Sequence, residues 1–236
     1  MFYGKGKSLY VNQDGGSETT RTPLRRVSDS TALGNDARMT TRDPHPPADI
    51  VDVLTTDHRA VEELFDRLLA DGTTSPRFRR DMVDVLIAEL MRHATAEEQY
   101  LYPAVRRHLP DGAELADREL VEHAQAEALM SRLMDTDAED PLFDTLIGQL
   151  ALDVRQHVHE EETALFPRLR ATVDPATLVA LGTEILGAKM VAPTRPHPAG
   201  PHHPPVNRIA GPVMGLVDRA VDSLTDRPTT VAELPD

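Results

Sequence analysis

The chain has no cysteine, which excludes disulfides, iron–sulfur clusters and thiolate zinc sites together. That absence fits a reducing compartment. Tryptophan is missing too, and Phe and Tyr number only 5 and 4, so stacking platforms for bases or sugars are not expected. No stretch approaches the roughly 20 apolar residues needed to span a bilayer. The N-terminus, MFYGKGKSLY, lacks the apolar core of a secretory signal; the chain is therefore expected to be cytoplasmic. Basic residues are also scarce: 25 Lys and Arg face 39 Asp and Glu, for a net charge of −14. Such a balance repels nucleic acid and anionic lipid, so neither is expected as a partner. No glycine-rich phosphate loop occurs.

What is present is a repeated pattern. His93-Ala-Thr-Ala-Glu97-Glu98-Gln-Tyr-Leu101-Tyr102-Pro103 returns 64 residues later as His157-Val-His-Glu-Glu161-Glu162-Thr-Ala-Leu165-Phe166-Pro167. Each copy carries His and Glu at i and i+4, positions that share one face of a helix. A lone histidine precedes each copy, His58 by 35 residues and His123 by 34.

These residues fall on helical stripes. A first helix is predicted from about Asp49 to Ala70, with Leu54, His58, Val61, Phe65 and Leu68 on its inward face. Residues 71–76 form a turn. The second helix, about Pro76 to His108, aligns Met82, Leu86, Leu90, His93, Glu97 and Leu101, and Pro103 should kink or break its last turn. The third, about Ala113 to Met134, aligns His123 with Ala116, Leu120, Glu127, Met130 and Met134. The fourth, about Pro141 to Ala171, aligns Phe143, Leu146, Leu150, Val154, His157, Glu161 and Leu165. Short polar connections imply an all-α, up-down-up-down four-helix bundle over residues 44–190, with a short fifth helix near Pro175 to Lys189 as a cap.

Residues 1–43 are rich in Gly, Ser, Thr and Arg without apolar periodicity and read as a disordered extension. Met39 offers an alternative start. Residues 191–236 begin with a Pro/His-rich linker and end in an amphipathic stretch through Ile209, Val213, Leu216, Val217, Ala220 and Leu224. That stretch would dock either on the bundle or on a protein partner.

Six polar groups on inward stripes need an explanation. An unsatisfied buried neutral polar group costs about 1–3 kcal/mol, and an ion costs more. One histidine on an apolar stripe is ordinarily a hydrogen-bonded core residue, and one His/Glu pair ordinarily a surface contact. The shared inward phase of all six and their repeated spacing point instead to a buried site for two metal ions. Mixed N/O ligation suits Fe, Mn or Zn, with iron the usual tenant where carboxylates bridge two metals. There is no His-Glu-x-x-His, which excludes a zincin protease. Glu89 and Glu119 precede their histidines by four residues rather than the three of the ferritin-like signature.

The order His58, His93-x-x-x-Glu97, His123, His157-x-x-x-Glu161 resembles the hemerythrin-like HHE cation-binding family over about residues 49–170. The resemblance implies four terminal histidine ligands, with Glu97 and Glu161 bridging two iron ions (Fe2+/Fe3+) alongside an oxo or hydroxo group. In hemerythrin itself a further histidine follows the third-helix one by four residues; here that place holds Glu127. The change implies a carboxylate ligand or a position open to water, and favours redox cycling, peroxide turnover or sensing over reversible oxygen carriage.

His159, about 200° round the helix from its neighbour, should face away. Glu98 and Glu162 read as supporting or surface residues, and Tyr100 and Tyr102 as ordinary packing. His197, His202 and His203 read as a solvated segment, while His45 and His108 carry no pattern. The leading expectation is a non-haem di-iron protein acting on O2, peroxide or nitric oxide as carrier, sensor or catalase-like or peroxidase-like enzyme. The alternative is an iron-binding stress or interaction protein whose metal is a staple or iron gauge. A zinc site used only for stability is a third.

Overall fold

The computed structural model describes residues 48–70, 75–198 and 206–234. The N-terminal extension, the turn at 71–74, and His202 and His203 lie outside the described residues. Within them the architecture is all-α. Helix α1 spans Ile50–Leu69, α2 Pro76–Ala96, α3 Tyr102–His108, α4 Gly112–Asp135, α5 Pro141–Glu160, α6 Phe166–Thr172, α7 Pro175–Val191 and α8 Val206–Leu224. Two five-residue π-helical turns, Glu97–Leu101 and Glu161–Leu165, join α2 to α3 and α5 to α6, so each of those pairs is one long rod. With α1 and α4 these rods make the four-helix bundle, and α7 lies against α1 and α2.

Local sequence sets the helix starts. Ser75, Asp140 and Asp174 each accept a hydrogen bond from a first-turn backbone N–H, and each is followed by proline at the first helical position, where its missing donor costs nothing. Asp49 and Asp52 form a reciprocal capping box at α1. The expected break at Pro103 is instead a local widening. The N–H of Tyr102 bonds to the carbonyl of Glu97, and that of Phe166 to Glu161. The extra residue in each loop shifts the register ahead of Pro103 and Pro167, so each proline enters the first turn of a new α-helix.

The core is two apolar clusters with a polar layer between them. One contains Phe65, Leu86, Leu133 and Phe143; the other contains Leu54, Leu101, Tyr102, Val105 and Leu169. Along α1 the order is Leu54, His58, Val61; along the fourth rod it is Leu150, His157, Glu161, Leu165. Every rod thus passes from one cluster to the other through the residues singled out above. The expected stripes hold on α1 and α2, whose named residues are all buried. On α4 the buried face is rotated slightly: Glu119 and Leu133 are buried, whereas Leu120 and Met134 are only partly so.

The C-terminal segment docks on the bundle through its polar face. Asp218 accepts from the backbone N–H groups of Thr194 (3.0 Å) and Arg195 (3.2 Å). Asp222 accepts from Arg195 Nε (2.8 Å) and Arg227 Nη1 (3.0 Å). Arg227 in turn donates to the carbonyl of Asp84 on α2 (3.0 Å). The apolar stripe, for which docking on the bundle or on a partner were both open, points away from the bundle: Ile209, Val213, Leu216, Val217 and Leu224 are exposed. Gly215 permits the close approach, because a Cβ there would sit 2.3 Å from the carbonyl oxygen of Val191. Replacing Gly215 by Ala should therefore lift α8 from α7 while leaving the bundle intact. Limited proteolysis should cut the variant after residue 191 faster than the parent, with little change in helical circular dichroism; equal cutting rates would contradict this docking.

Candidate metal centre

The polar layer gathers His58 from α1, His93 from α2, His123 from α4 and His157 from α5, with Glu97 and Glu161 opening the two π turns. The side chains of all six are between 0 and 11% exposed. The rings form two pairs, His58 with His93 (centroids 4.9 Å apart) and His123 with His157 (5.1 Å). Potential ligand atoms converge in three groups: His58, His93, Glu97 and Glu161; Glu97, His123 and His157; and Glu119, His157 and Glu161. Glu97 and Glu161 each appear twice, so both carboxylates are shared between the histidine pairs.

The histidines are aimed by carboxylates behind them. His58 Nδ1 lies 2.8 Å from Glu162, which Arg59 also holds. His93 Nδ1 lies 3.4 Å from Asp57, itself paired with Lys189. His123 Nδ1 lies 3.3 Å from Glu98, and His157 Nδ1 lies 3.1 Å from Glu122. Each ring therefore turns its Nε2 inward, the arrangement that fixes tautomer and orientation in histidine metal sites. The scheme follows the internal repeat: Asp57 and Glu122 each precede a lone histidine, and Glu98 and Glu162 each follow a shared glutamate.

The inward atoms face one another as ion pairs, with His93 Nε2 3.1 Å and His123 Nε2 3.3 Å from the carboxylate of Glu97 and His157 Nδ1 3.1 Å from Glu119. Most of them make no well-formed hydrogen bond. His58 Nε2, His157 Nε2, Glu119 Oε2 and both carboxylate oxygens of Glu97 and of Glu161 are buried without a hydrogen bond. Seven such atoms in one layer are what a bound dication would coordinate, because each orphan carries a desolvation cost that coordination removes. The donor set of imidazoles and carboxylates fits iron, manganese or zinc.

Charge is balanced in the layer by protons when no cation is bound. Burial opposes charge on His93, but Glu97 and Asp57 outweigh it and push its pKa up to about 10. Burial likewise opposes charge on His123, yet Glu97 and Glu98 raise it to about 9. His157 is raised well above its usual range as Glu161, Glu119 and Glu122 overcome burial. Burial disfavours ionised Glu97, but His93 and His123 hold its pKa well below normal. Burial together with the charge on Glu97 raises that of Glu161.

Of the expected ligands, the structure brings together His58, His93, Glu97, His123, His157 and Glu161. Glu127 stands apart from the three groups: its carboxylate accepts a hydrogen bond from the backbone N–H of His197. Four residues in the other direction from His123, Glu119 takes the place at the centre. Its helical phase was visible in the sequence, since 119, 123 and 127 share a face. Tyr102 is not simple packing: its hydroxyl is 2.8 Å from His123 Nε2. Phe166, its counterpart in the repeat, stacks on His58 with centroids 5.7 Å apart. His159 is exposed, and His197 pairs with Asp218 at 3.0 Å.

A pH dependence follows. His93 and His123 have folded-state values above the ordinary 6.5, so their protonated forms stabilise the metal-free fold fully below about pH 6.5 and lose that contribution as pH rises through 9 to 10. Urea denaturation of metal-free protein should show stability falling by a few kcal/mol, in order of magnitude, between pH 6.5 and 10. A rise over that interval would contradict the assignment.

Among the described residues no helix is long and apolar enough to cross a membrane. The hemerythrin HHE cation binding domain profile matches residues 49–169, the segment that carries every residue of the centre. An uncharacterised hemerythrin-like protein of Schizosaccharomyces pombe is 25% identical over 182 residues, covering 76% of this chain and 88% of that protein. A DNA nickase of a Nostoc species is 31% identical over 142 residues, 59% of this chain but 39% of that protein. The crystal structure of a hemerythrin HHE cation binding domain-containing protein from Mycobacterium kansasii matches in fold with a TM-score of 0.53 at 22% identity, covering 61% of this chain and 86% of that one. With its bundle, its histidine pairs and its shared glutamates, the chain belongs to the hemerythrin HHE cation-binding domain family.

Proposed function

We propose that this chain is a non-haem di-iron protein that binds or reacts with O2, peroxide or nitric oxide. The observation that supports it is the sharing of Glu97 and Glu161 between two histidine pairs, with both carboxylates fully buried and lacking hydrogen bonds. His58 and His93 would hold one ion and His123 and His157 the other. When bound, a pair of irons supplies two one-electron equivalents for reaction with a small oxidant.

The chain's own residues set the conditions for that chemistry. The two apolar clusters exclude water above and below the layer. Asp57, Glu98, Glu122 and Glu162 hold the imidazoles in place. Tyr102 makes the two halves unlike, with a phenol hydroxyl at the His123 side and a bare phenyl ring at the His58 side. Burial, followed by the charges of Glu97 and Glu161, keeps that phenol protonated, so it can donate a hydrogen bond at the site. Carrier, sensor and catalase-like or peroxidase-like roles all draw on these features. A DNA-directed role like that of the similar nickase is disfavoured, because 39 acidic against 25 basic residues suit a phosphate backbone poorly.

A second reading, an iron gauge that signals to a protein partner, has one observation in its favour. The outward stripe of α8 leaves Ile209, Leu216 and Leu224 exposed at 72, 66 and 85%, more than a solvated helix needs.

Anaerobic loading with Fe(II), followed by rapid mixing with O2, peroxide or nitric oxide, tests the first reading. Near-ultraviolet absorption should rise on oxidation, and Glu97→Ala and Glu161→Ala should each abolish the dinuclear signal. Loaded protein inert to all three reagents would overturn the first reading and leave the gauge.

A further inference from the structure

A cavity of about 270 Å3 lies between the four imidazoles and the C-terminal segment. Its lining includes His58, His93, His123 and His157 but none of Glu97, Glu119 or Glu161. The cavity therefore meets the centre on its imidazole face. Val61, Leu90, Met91, Met130 and Val154 supply apolar walls, and Pro193, His197, Gly211 and Met214 close the roof. The roof is fastened at two points: His197 donates its backbone N–H to Glu127 and pairs through its ring with Asp218. At Gly211 a Cβ would lie 3.2 Å from Gln99 Nε2, so α8 runs close over the π turn of the second rod.

The volume is far larger than a diatomic gas or peroxide needs. A water molecule's share of liquid volume is about 30 Å3, and a cavity of about 150 Å3 lined by aliphatic side chains suffices for benzene. Charge narrows the occupant further. Among the described residues no Lys or Arg lines the cavity, whereas Glu98, Glu122, Glu127 and Asp153 do. The imidazoles on the centre side are already paired with Asp57, Glu97, Glu98 and Glu122. An organic anion would therefore meet no unpaired counter-charge and a wall of net negative charge, which suits an amine better.

We propose that this cavity binds an apolar organic molecule, neutral or carrying one amine, of roughly ten non-hydrogen atoms by scaling from benzene, held against the imidazole face of the metal centre. The chain's own walls and roof create the site, so the proposal does not depend on which metal the centre holds. It adds to the centre a place for a second reactant or an effector larger than the oxidants considered above.

The test uses the full chain as isolated, its metal content measured beforehand, with toluene, benzylamine and benzenesulfonate as probes in calorimetry and ligand-observed magnetic resonance. Benzenesulfonate matches the others in size and coordinates metals weakly, so it reports on the walls. Toluene and benzylamine should bind saturably at one per chain, and benzenesulfonate about tenfold or more weakly, a difference of about 1.4 kcal/mol. Ala126→Phe, from the α4 wall, and Met214→Phe, from the roof, should each weaken both favoured probes about tenfold with metal content and circular dichroism unchanged. The proposal is overturned if neither toluene nor benzylamine saturates, if benzenesulfonate binds as well as benzylamine, or if both folded variants bind as the parent does. Metal content and oxidant reactivity are read separately, so loss of the di-iron reading would leave these outcomes unaltered.

Discussion

Two carboxylates and four imidazoles are buried in one layer across the middle of this bundle, and the rest of the structure answers to that fact. A carboxylate removed from water without a partner is among the most expensive groups a protein can bury. Glu97 and Glu161 are both fully buried and face each other across the layer. Only positive charge between them makes the arrangement tolerable. Protons on the imidazoles supply it when no metal is bound, and a cation supplies it otherwise. This competition explains why the values of His93, His123 and His157 rise while each Nδ1 is tied to a carboxylate behind it: the inward nitrogen can exchange its proton for a metal.

The bundle around the layer is organised to keep it rigid. Apolar clusters on both sides lock the rods, and the π turns place each shared glutamate where its helix changes register. The proline that follows each π turn stabilises that change, because an unbroken α-helix would meet the proline ring at the carbonyl four residues back. The same device occurs twice, as does the acidic residue before each lone histidine. The approximate repeat is broken at Tyr102 and Phe166, where one half gains a hydroxyl and the other does not. It is broken again at the C-terminal segment, which covers only one face of the layer.

Much of the fold and centre was legible in the sequence because it rests on local periodicity. His58 falls in phase with Leu54, Val61, Phe65 and Leu68, and the structure buries all five; the fourth rod reads equally well through His157 and Glu161. Glu119 was harder to find, since the buried face of α4 is rotated by about one residue toward it and away from Leu120, a consequence of packing between helices. Glu127 shares a face with His123 but lies four residues nearer the roof, where the His197 backbone engages it. Tyr102 looked like core because its apolar ring is core; only the fold shows its hydroxyl reaching His123. The orientation of α8 was illegible for another reason. Its polar residues Asp218 and Asp222 are drawn inward by Arg195, Arg227 and the Thr194 backbone, and helical amphipathicity alone does not choose between a stripe docked on the bundle and one turned toward a partner.

The most direct test of this account is the metal content per chain of untagged protein, by elemental mass spectrometry after anaerobic Fe(II) loading. Two irons per chain are predicted, falling to one or none when either Glu97 or Glu161 is replaced by Ala. A single ion in the parent protein, zinc that iron does not displace, or no metal at all would contradict a centre built around two shared carboxylates.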